Sequence, residues 1–300
     1  MRFRRDKRNA HINPKSAKDA TAKSSMLPKE DGVKLLGVDV GFSTRRATTA
    51  IALLNGNQLH LARAGTAWES RAAQIPSDFR ASVIAIDGPL LPQGADNHLY
   101  RLCEALFIRS PFHNRCKPGL SHWGSGLQLR RASAEACAQF SQLLIPLLER
   151  STNVHYGGPI VEAFPNAFLA VLIPEVELLS APKLKRGMRF DWLYKQIATT
   201  GRLELIVSKK LDMPDEFWVR LRAEKDHELR AALICLLTAA LAAQGTATIV
   251  GESTGGWFWL PPWSLWQPWA KQGLESAAKR MALKGYSLNW SEPLSEADSA

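Results

Sequence analysis

The stretch Lys34-Leu-Leu-Gly-Val-Asp-Val40, followed by Gly41, is a short apolar run that ends in an acid and a glycine. Such a run predicts a buried β-strand that leads into a turn. Two β-branched or alternating runs follow at residues 48–54 and 58–64, and the Asn55-Gly56 dipeptide between them is a strong hairpin signal. The chain is therefore predicted to begin its fold with three strands joined as an antiparallel meander.

The rest of the chain predicts two more strands and several helices. The further strands are expected at residues 81–86, before Asp87-Gly88-Pro89, and at residues 159–163, before Phe164-Pro165. Helices are expected at residues 96–108 and 127–148, from Pro165, and at residues 226–243 up to Gly245. Hairpin-linked strands followed by crossovers predict an α/β fold with a mixed sheet and helices on both faces.

The ends of the chain differ in composition from its middle. Residues 1–31 are rich in lysine and arginine and lack apolar periodicity, which predicts a disordered basic arm. Residues 32–290 are predicted to form one domain, and the polar, acidic residues 291–300 to fray. Within the domain, the tryptophan-rich segment at about 255–270 is interpreted as a flap over the core, with base stacking or a partner surface as alternatives.

Charge and cysteine content restrict the class of protein. A net charge of +10 and a pI near 9.6 fit a nucleic-acid partner, or equally a solvated basic surface with a charged tail. The four cysteines form no CxxC pair, so we expect reduced core thiols. No apolar run is long enough for a transmembrane helix, and no apolar region follows the basic N-terminus, so we expect a cytoplasmic protein with no membrane partner.

Acids at strand ends are the main functional signal. Asp39 ends the first strand, where open α/β sheets bind ligands, although Asp-x-Gly by itself favours a turn-capping role. Asp87 and Glu162 repeat the pattern, and Asp226 begins the late helix as an N-cap or a further acid. Neighbouring carboxylates repel unless a cation or a shared proton offsets the repulsion, and such hard oxygen ligands suit Mg²⁺ or Mn²⁺.

Five short motifs together resemble those of the DUF429 family, described as predicted nucleases of the ribonuclease H-like superfamily. They span residues 34–262 and read Leu36-Gly-Val-Asp-Val-Gly41, Ile84-Ala-Ile-Asp-Gly-Pro-Leu90, Arg101-Leu-Cys-Glu104, Val161-Glu-Ala-Phe-Pro165 and Arg230-Ala-Ala-Leu-Ile-Cys235. The resemblance implies a ribonuclease H-like mixed sheet of five strands, the first three antiparallel. It also implies a metal site formed by Asp39, Asp87 and an acid of the late helix, with Glu162 close by.

One departure from the family concerns the late helix. The family often has an aspartate directly before the Ala-Leu pair, where this chain has Ala231 before Ala232-Leu233. Asp226 lies about one helical turn upstream and is the candidate replacement.

These observations predict a metal-dependent nuclease that hydrolyses phosphodiester bonds with Mg²⁺ or Mn²⁺, using Asp39, Asp87, Glu162 and Asp226 as catalytic residues. Phosphate contacts are assigned to Arg45, Arg46, Arg130 and Arg131. One alternative is a nucleotide-binding or phosphotransfer protein of the actin and sugar-kinase type, which normally needs a second such domain. Another is a non-catalytic binding protein of the same fold that has lost part of the acid set.

Overall fold

The computed structural model describes residues 33–90, 101–145, 158–184, 187–252, 255–283 and 289–291. The predicted basic arm (1–31), nearly all of the predicted tail (291–300) and the outer parts of the helices predicted at 96–108 and 127–148 lie outside these residues.

The described strands form one mixed sheet with the order β3-β2-β1-β4-β5-β7-β6-β8. Pairing is antiparallel between β1 and β2, β2 and β3, β6 and β7, and β6 and β8, and it is parallel along β1-β4-β5-β7. The strands are β1 (Lys34–Asp39), β2 (Thr49–Asn55), β3 (Gln58–Ala64), β4 (Val83–Asp87), β5 (Ile160–Ala163), β6 (Thr248–Glu252), β7 (Gly256–Leu260) and β8 (Asn289–Ser291).

The predicted opening meander is confirmed, with a two-residue turn that joins β2 to β3. Asn55 pairs with Gln58, and Gly56 has a φ of 59°, a left-handed conformation that glycine adopts without strain. Strand β4 then returns parallel to β1 on its other side. This arrangement brings the carboxyl ends of β1 and β4 to the same edge of the sheet.

The predicted number of five strands is wrong, because the sheet continues beyond β5 through β7, β6 and β8. The additional strands come from the C-terminal part of the chain, including the tryptophan-rich segment that was interpreted as a flap. In β7 all five residues are buried, and the indole Nε1 atoms of Trp266 and Trp269 donate to the carbonyls of Pro261 and Ile173. The segment is therefore part of the sheet and core, not a layer over them.

Helices cover both faces of the sheet, as predicted. They are α1 (Trp68–Ala72), α2 (Leu102–Phe107), α3 (His113–Cys116), α4 (Gly124–Phe140), α5 (Pro165–Ala170), α6 (Glu175–Leu179), α7 (Met188–Ile197), α8 (Arg202–Val207), α9 (Asp215–Ala223), α10 (His227–Ala243) and α11 (Pro268–Ala282). The larger core lies between the sheet and the helices α2, α3 and α5 to α11, and a smaller core lies between the other face and α4.

Helix α4 ends earlier than the predicted helix at 127–148. A short 3₁₀ turn at Ser141–Leu143 follows Phe140, and Leu144 is extended. The amide of Ala81 donates to the carbonyl of Leu143, and the amide of Ile145 donates to the carbonyl of Ala81. The chain leaves the helix here because its backbone pairs with the residues that precede β4.

Helix α10 packs unusually closely on β1, and Gly37 is the reason. A Cβ atom at Gly37 would lie 2.2 Å from the backbone nitrogen of Leu236 and 2.4 Å from the carbonyl oxygen of Ala232. Only a residue without a side chain fits at this contact. The contact places the start of α10 at the edge of the sheet where β1 ends.

The four cysteines are free and buried, which agrees with the expectation of reduced core thiols. Within the described residues, no helix combines the length and the apolar character needed to cross a membrane.

Candidate functional site

Asp39 and Asp87 lie side by side at the carboxyl edge of the sheet. They are direct partners in the parallel β1–β4 pair, and both are half-buried. Directly paired residues project from the same face of a sheet. That face is the one covered by α10, because Leu35 and Ala85, at even spacing from the two acids, belong to the core beneath this helix. The β1–β4 register therefore places these two predicted site residues next to each other.

Burial and neighbouring acids disfavour the charged form of both carboxylates. Burial raises the pKa of Asp39 well above its usual value, and the charges of Asp87, Glu228 and Asp226 raise it further while Arg63 lowers it. Burial also raises the pKa of Asp87 to about 7, with a further contribution from the charge of Glu162. Two such carboxylates are most stable when a proton is retained or when a cation lies between them.

The Cys235 thiol of α10 lies beneath the two acids. Burial raises its pKa well above the usual value, and the charges of Asp87 and Asp39 add to this effect. A thiol with a raised pKa stays protonated and neutral, so Cys235 contributes an uncharged, buried side chain next to the acid pair.

The acids of the late helix also reach this end of the sheet, but they bind an arginine. Asp226 is the N-cap of α10 and accepts the amide of Leu229 at 3.0 Å. One nitrogen of Arg63, Nη1, donates to both carboxylate oxygens of Asp226 at 2.7 and 2.8 Å, and to Glu228 at 3.0 Å. Although burial opposes it, the Leu229 amide and the Arg63 guanidinium hold the pKa of Asp226 below its usual value.

Glu162 belongs to a different, buried ion-pair network. It is paired with Ile86, so its side chain leaves the sheet on the face opposite to Asp87. Both of its oxygens accept from Arg101 at 2.7 Å, and Arg101 also bonds to Glu104, which accepts from the Ser121 hydroxyl at 3.0 Å. The structure thus gives Glu162 an arginine partner and directs its side chain to the other face, while its charge still acts on Asp87.

A small open cavity lies between Asp87 and this network. Its volume is about 70 Å³, and Phe164, Phe258, Leu129 and Pro89 contribute apolar walls. Asp87 and Glu162 both line this cavity, together with Leu129 of α4.

The four predicted phosphate-binding arginines fall into two groups. Arg45 and Arg46 are exposed in the loop that follows β1, close in sequence to Asp39, and Arg131 is exposed on α4. Arg130 is buried, and burial together with the charge of Arg101 lowers the pKa of its guanidinium. Three of the four are therefore accessible to a substrate from solvent.

The site contains residues that the sequence prediction did not assign. Neither Arg63 of β3 nor Glu228 of α10 has a role in the sequence prediction. The Asn55-Gly56 turn is the sequence feature that indicates the position of Arg63, because the turn fixes the register of β2 and β3. In that register Arg63 pairs with Ala50, and Ala50 pairs with Asp39.

A complete metal-ligand set is not visible in the described part of the chain, where no three His, Cys, Asp or Glu side chains are grouped to hold one ion. The ion pair that engages Asp226 and Glu228 accounts for this, since it directs both acids to Arg63. Comparison with known proteins gives no further guide, because no family model, no curated protein and no solved structure matches this chain.

Proposed function

We propose that this protein is a metal-dependent phosphodiester hydrolase in which Asp39 and Asp87 hold Mg²⁺ or Mn²⁺. The observation that carries the proposal is the direct pairing of the two acids on adjacent parallel strands, at the edge where α/β sheets bind ligands. The motif resemblance to the DUF429 family, with its implied nuclease activity, supports the same reaction and is itself a hypothesis.

The pair fits a divalent cation by charge and by donor type. Both side chains supply hard carboxylate oxygens, which Mg²⁺ and Mn²⁺ prefer. Burial, with a further contribution from neighbouring acids, raises the pKa of Asp39 and of Asp87, so a counter-charge would stabilise the ionised form of both carboxylates. When bound, such an ion would lower the pKa of a water molecule and stabilise the charge that develops on the leaving oxygen.

The chain's own residues would orient the substrate. Asp39 and Asp87 would hold the ion at the sheet edge, and the exposed Arg45 and Arg46 would offer hydrogen-bond donors to the phosphate oxygens of a substrate. The net charge of +10 favours the approach of a polyanion such as nucleic acid. Contact between substrate and the β1–β2 loop is therefore expected through Arg45 and Arg46.

The first experiment measures Mn²⁺ binding by calorimetry in the wild type and in the Asp39→Asn and Asp87→Asn variants. Each substitution removes a negatively charged ligand, so we expect affinity to fall at least ~10-fold. Asp78→Asn is the matched control, since Asp78 is an exposed acid of a surface turn. Unchanged affinity in both site variants would remove the basis of the proposal.

The second experiment tests the reaction. Labelled single-stranded, duplex and branched nucleic acids are incubated with Mg²⁺, Mn²⁺ or EDTA, and products are separated by size. Divalent-dependent cleavage that is lost in both site variants is the expected result. ATP turnover without cleavage would instead favour the phosphotransfer alternative, and metal binding with neither activity would favour a non-catalytic binding protein.

A further inference from the structure

Four residues form a row across the sheet that leads from the acid pair to an arginine. Asp87 pairs with Asp39, Asp39 pairs with Ala50, and Ala50 pairs with Arg63. Residues paired in this way project from one face, so all four lie on the face that α10 covers. The side chain between Asp39 and Arg63 in this row is the methyl group of Ala50, which is too small to separate the arginine from the acid.

The first turn of α10 supplies two carboxylates to the same place. Nη1 of Arg63 contacts three carboxylate oxygens, two of Asp226 and one of Glu228, at 2.7 to 3.0 Å. Its Nη2 donates to the carbonyl of Ala47 in the β1–β2 loop. The guanidinium therefore joins three segments that are distant in the chain: β3, the β1–β2 loop and the start of α10.

Arg63 also lies close to the acid pair. Arg63 and Asp39 are separated in the row by Ala50 alone, so both lie on the same face of the sheet. The guanidinium is thus bonded to the two acids of α10 on the face that also carries the two strand-end acids.

We propose that Arg63 is an internal cation in the position where a second metal ion would otherwise bind, so that the site takes one divalent ion at Asp39 and Asp87. The inference rests on the proposed function and specifies the number of ions it uses. A metal ion bound between Asp226 and Glu228 would have to replace the three oxygen contacts of Arg63. While Arg63 is in place, its single positive charge offsets part of the charge of the two late-helix acids and occupies these oxygens.

The degree of exposure makes Arg63 replaceable without loss of the fold. Its side chain is 28% exposed, and those of Asp226 and Glu228 are 38% and 27% exposed. Partly exposed ion pairs contribute only part of a domain's stability, so Arg63→Gln is expected to fold with a lower unfolding temperature, and the Leu229 amide remains a partner for Asp226.

The test is a Mn²⁺ titration of the full chain followed by electron paramagnetic resonance, which counts bound ions directly. The wild type is expected to bind one Mn²⁺, and Arg63→Gln two, because the substitution frees Asp226 and Glu228 together with Asp39. Arg63→Lys retains the positive charge and is expected to bind one. Arg202→Gln is the control, since Arg202 forms a comparable exposed pair with Glu177 and lies outside the site.

A second variant shows where the added ion binds. In the Arg63→Gln background, Glu228→Gln should return the count to one. The inference is overturned if Arg63→Gln binds the same number of ions as the wild type with unchanged affinity, or if the wild type already binds two. If the wild type binds none and Arg63→Gln binds one, Arg63 does exclude metal, and it is the proposed function of the natural chain that fails. If neither protein binds Mn²⁺, both proposals fail.

Thermal unfolding provides a readout that does not depend on counting ions. Without metal, Arg63→Gln leaves the carboxylates around Asp39 without their cation and should unfold at a lower temperature than the wild type. Saturating Mn²⁺ should restore more stability to Arg63→Gln than to the wild type. An equal Mn²⁺-dependent increase in both proteins contradicts the inference, because it means that Arg63 and metal do not compete.

Discussion

Replacement of Asp87 by Asn should stabilise the metal-free protein at pH 8. The pKa of Asp87 rises from 3.8 to about 7 in the folded chain, so the folded state disfavours the ionised carboxylate. Each pKa unit corresponds to about 1.4 kcal/mol, which gives an upper value of about 4 kcal/mol. Because Asp87 and Asp39 share the repulsion and both are partly exposed, we expect about 1–3 kcal/mol to be measured.

The sign of the effect sets its pH dependence. Between pH 4 and pH 7 the folded chain retains a proton on Asp87 that the unfolded chain releases, so wild-type stability falls as the pH rises through this window. The asparagine side chain is neutral at every pH, so the Asp87→Asn variant does not lose stability as the pH rises through this window. The difference between the variant and the wild type should therefore be small near pH 4 and greatest above pH 7.

The assay is urea unfolding in EDTA at pH 4.5 and pH 8, followed by tryptophan fluorescence. Asp78→Asn, which changes an exposed acid, should show no comparable difference between the two pH values. Saturating Mn²⁺ should then stabilise the wild type at pH 8 and leave Asp87→Asn nearly unchanged, because a ligand stabilises only the state that binds it. A variant that is less stable than the wild type in EDTA at pH 8 would refute the reasoning.

Three further outcomes are expected. Gly37→Ala should lower the free energy of unfolding by about 1–3 kcal/mol or more, since its Cβ would meet helix backbone, whereas Gly119→Ala, with open space around its Cβ, should be near neutral in the same urea assay. Glu162→Gln should cost about 1–3 kcal/mol because it weakens two buried charge-assisted hydrogen bonds and leaves Glu104 as the buried carboxylate paired with Arg101, while Glu177→Gln at an exposed pair should cost less than about 1 kcal/mol. A thiol reagent should label none of the four cysteines in the native protein and all four in urea, and rapid native labelling would contradict their burial.

The first half of the fold was predictable because its signals are local. The three strands of the meander alternate or form apolar runs of ordinary strand length, and Asn55-Gly56 marks the turn between two of them. Asp39 and Asp87 could be placed together because each ends an apolar run, and parallel strands end at one edge of a sheet. These inferences needed no knowledge of contacts between distant parts of the chain.

The sheet beyond β5 was not predictable in the same way. Every residue of β7 is buried, so the strand shows no alternation of polar and apolar residues, and its aromatic sequence is equally compatible with a packed loop. The helices between β5 and α10 are mostly short, and several begin after Pro or Gly without a side-chain cap. Their positions depend on the core that they cover, which the sequence does not display.

The candidate site shows the same division. The acid pair follows from strand ends, but the contact between Arg63 and Asp226 joins residues 163 positions apart. Glu162 looked equivalent to Asp39 and Asp87 in sequence, and its pairing with Ile86 turns it to the other face. The difference between a ligand and an ion-pair partner was thus decided by register and by tertiary contacts.

The two-residue turn between β2 and β3 determines whether the positive charge of Arg63 lies in the site, although the turn is at the opposite end of these strands. Side chains alternate between faces along a strand, so a pairing shift of one residue moves every side chain of β3 to the other face. One residue inserted beside Gly56 would direct Arg63 away from α10 and leave the late-helix acids without their partner. Loop length at this distant turn is therefore a means by which related chains could gain or lose an ion without any change among the acids themselves.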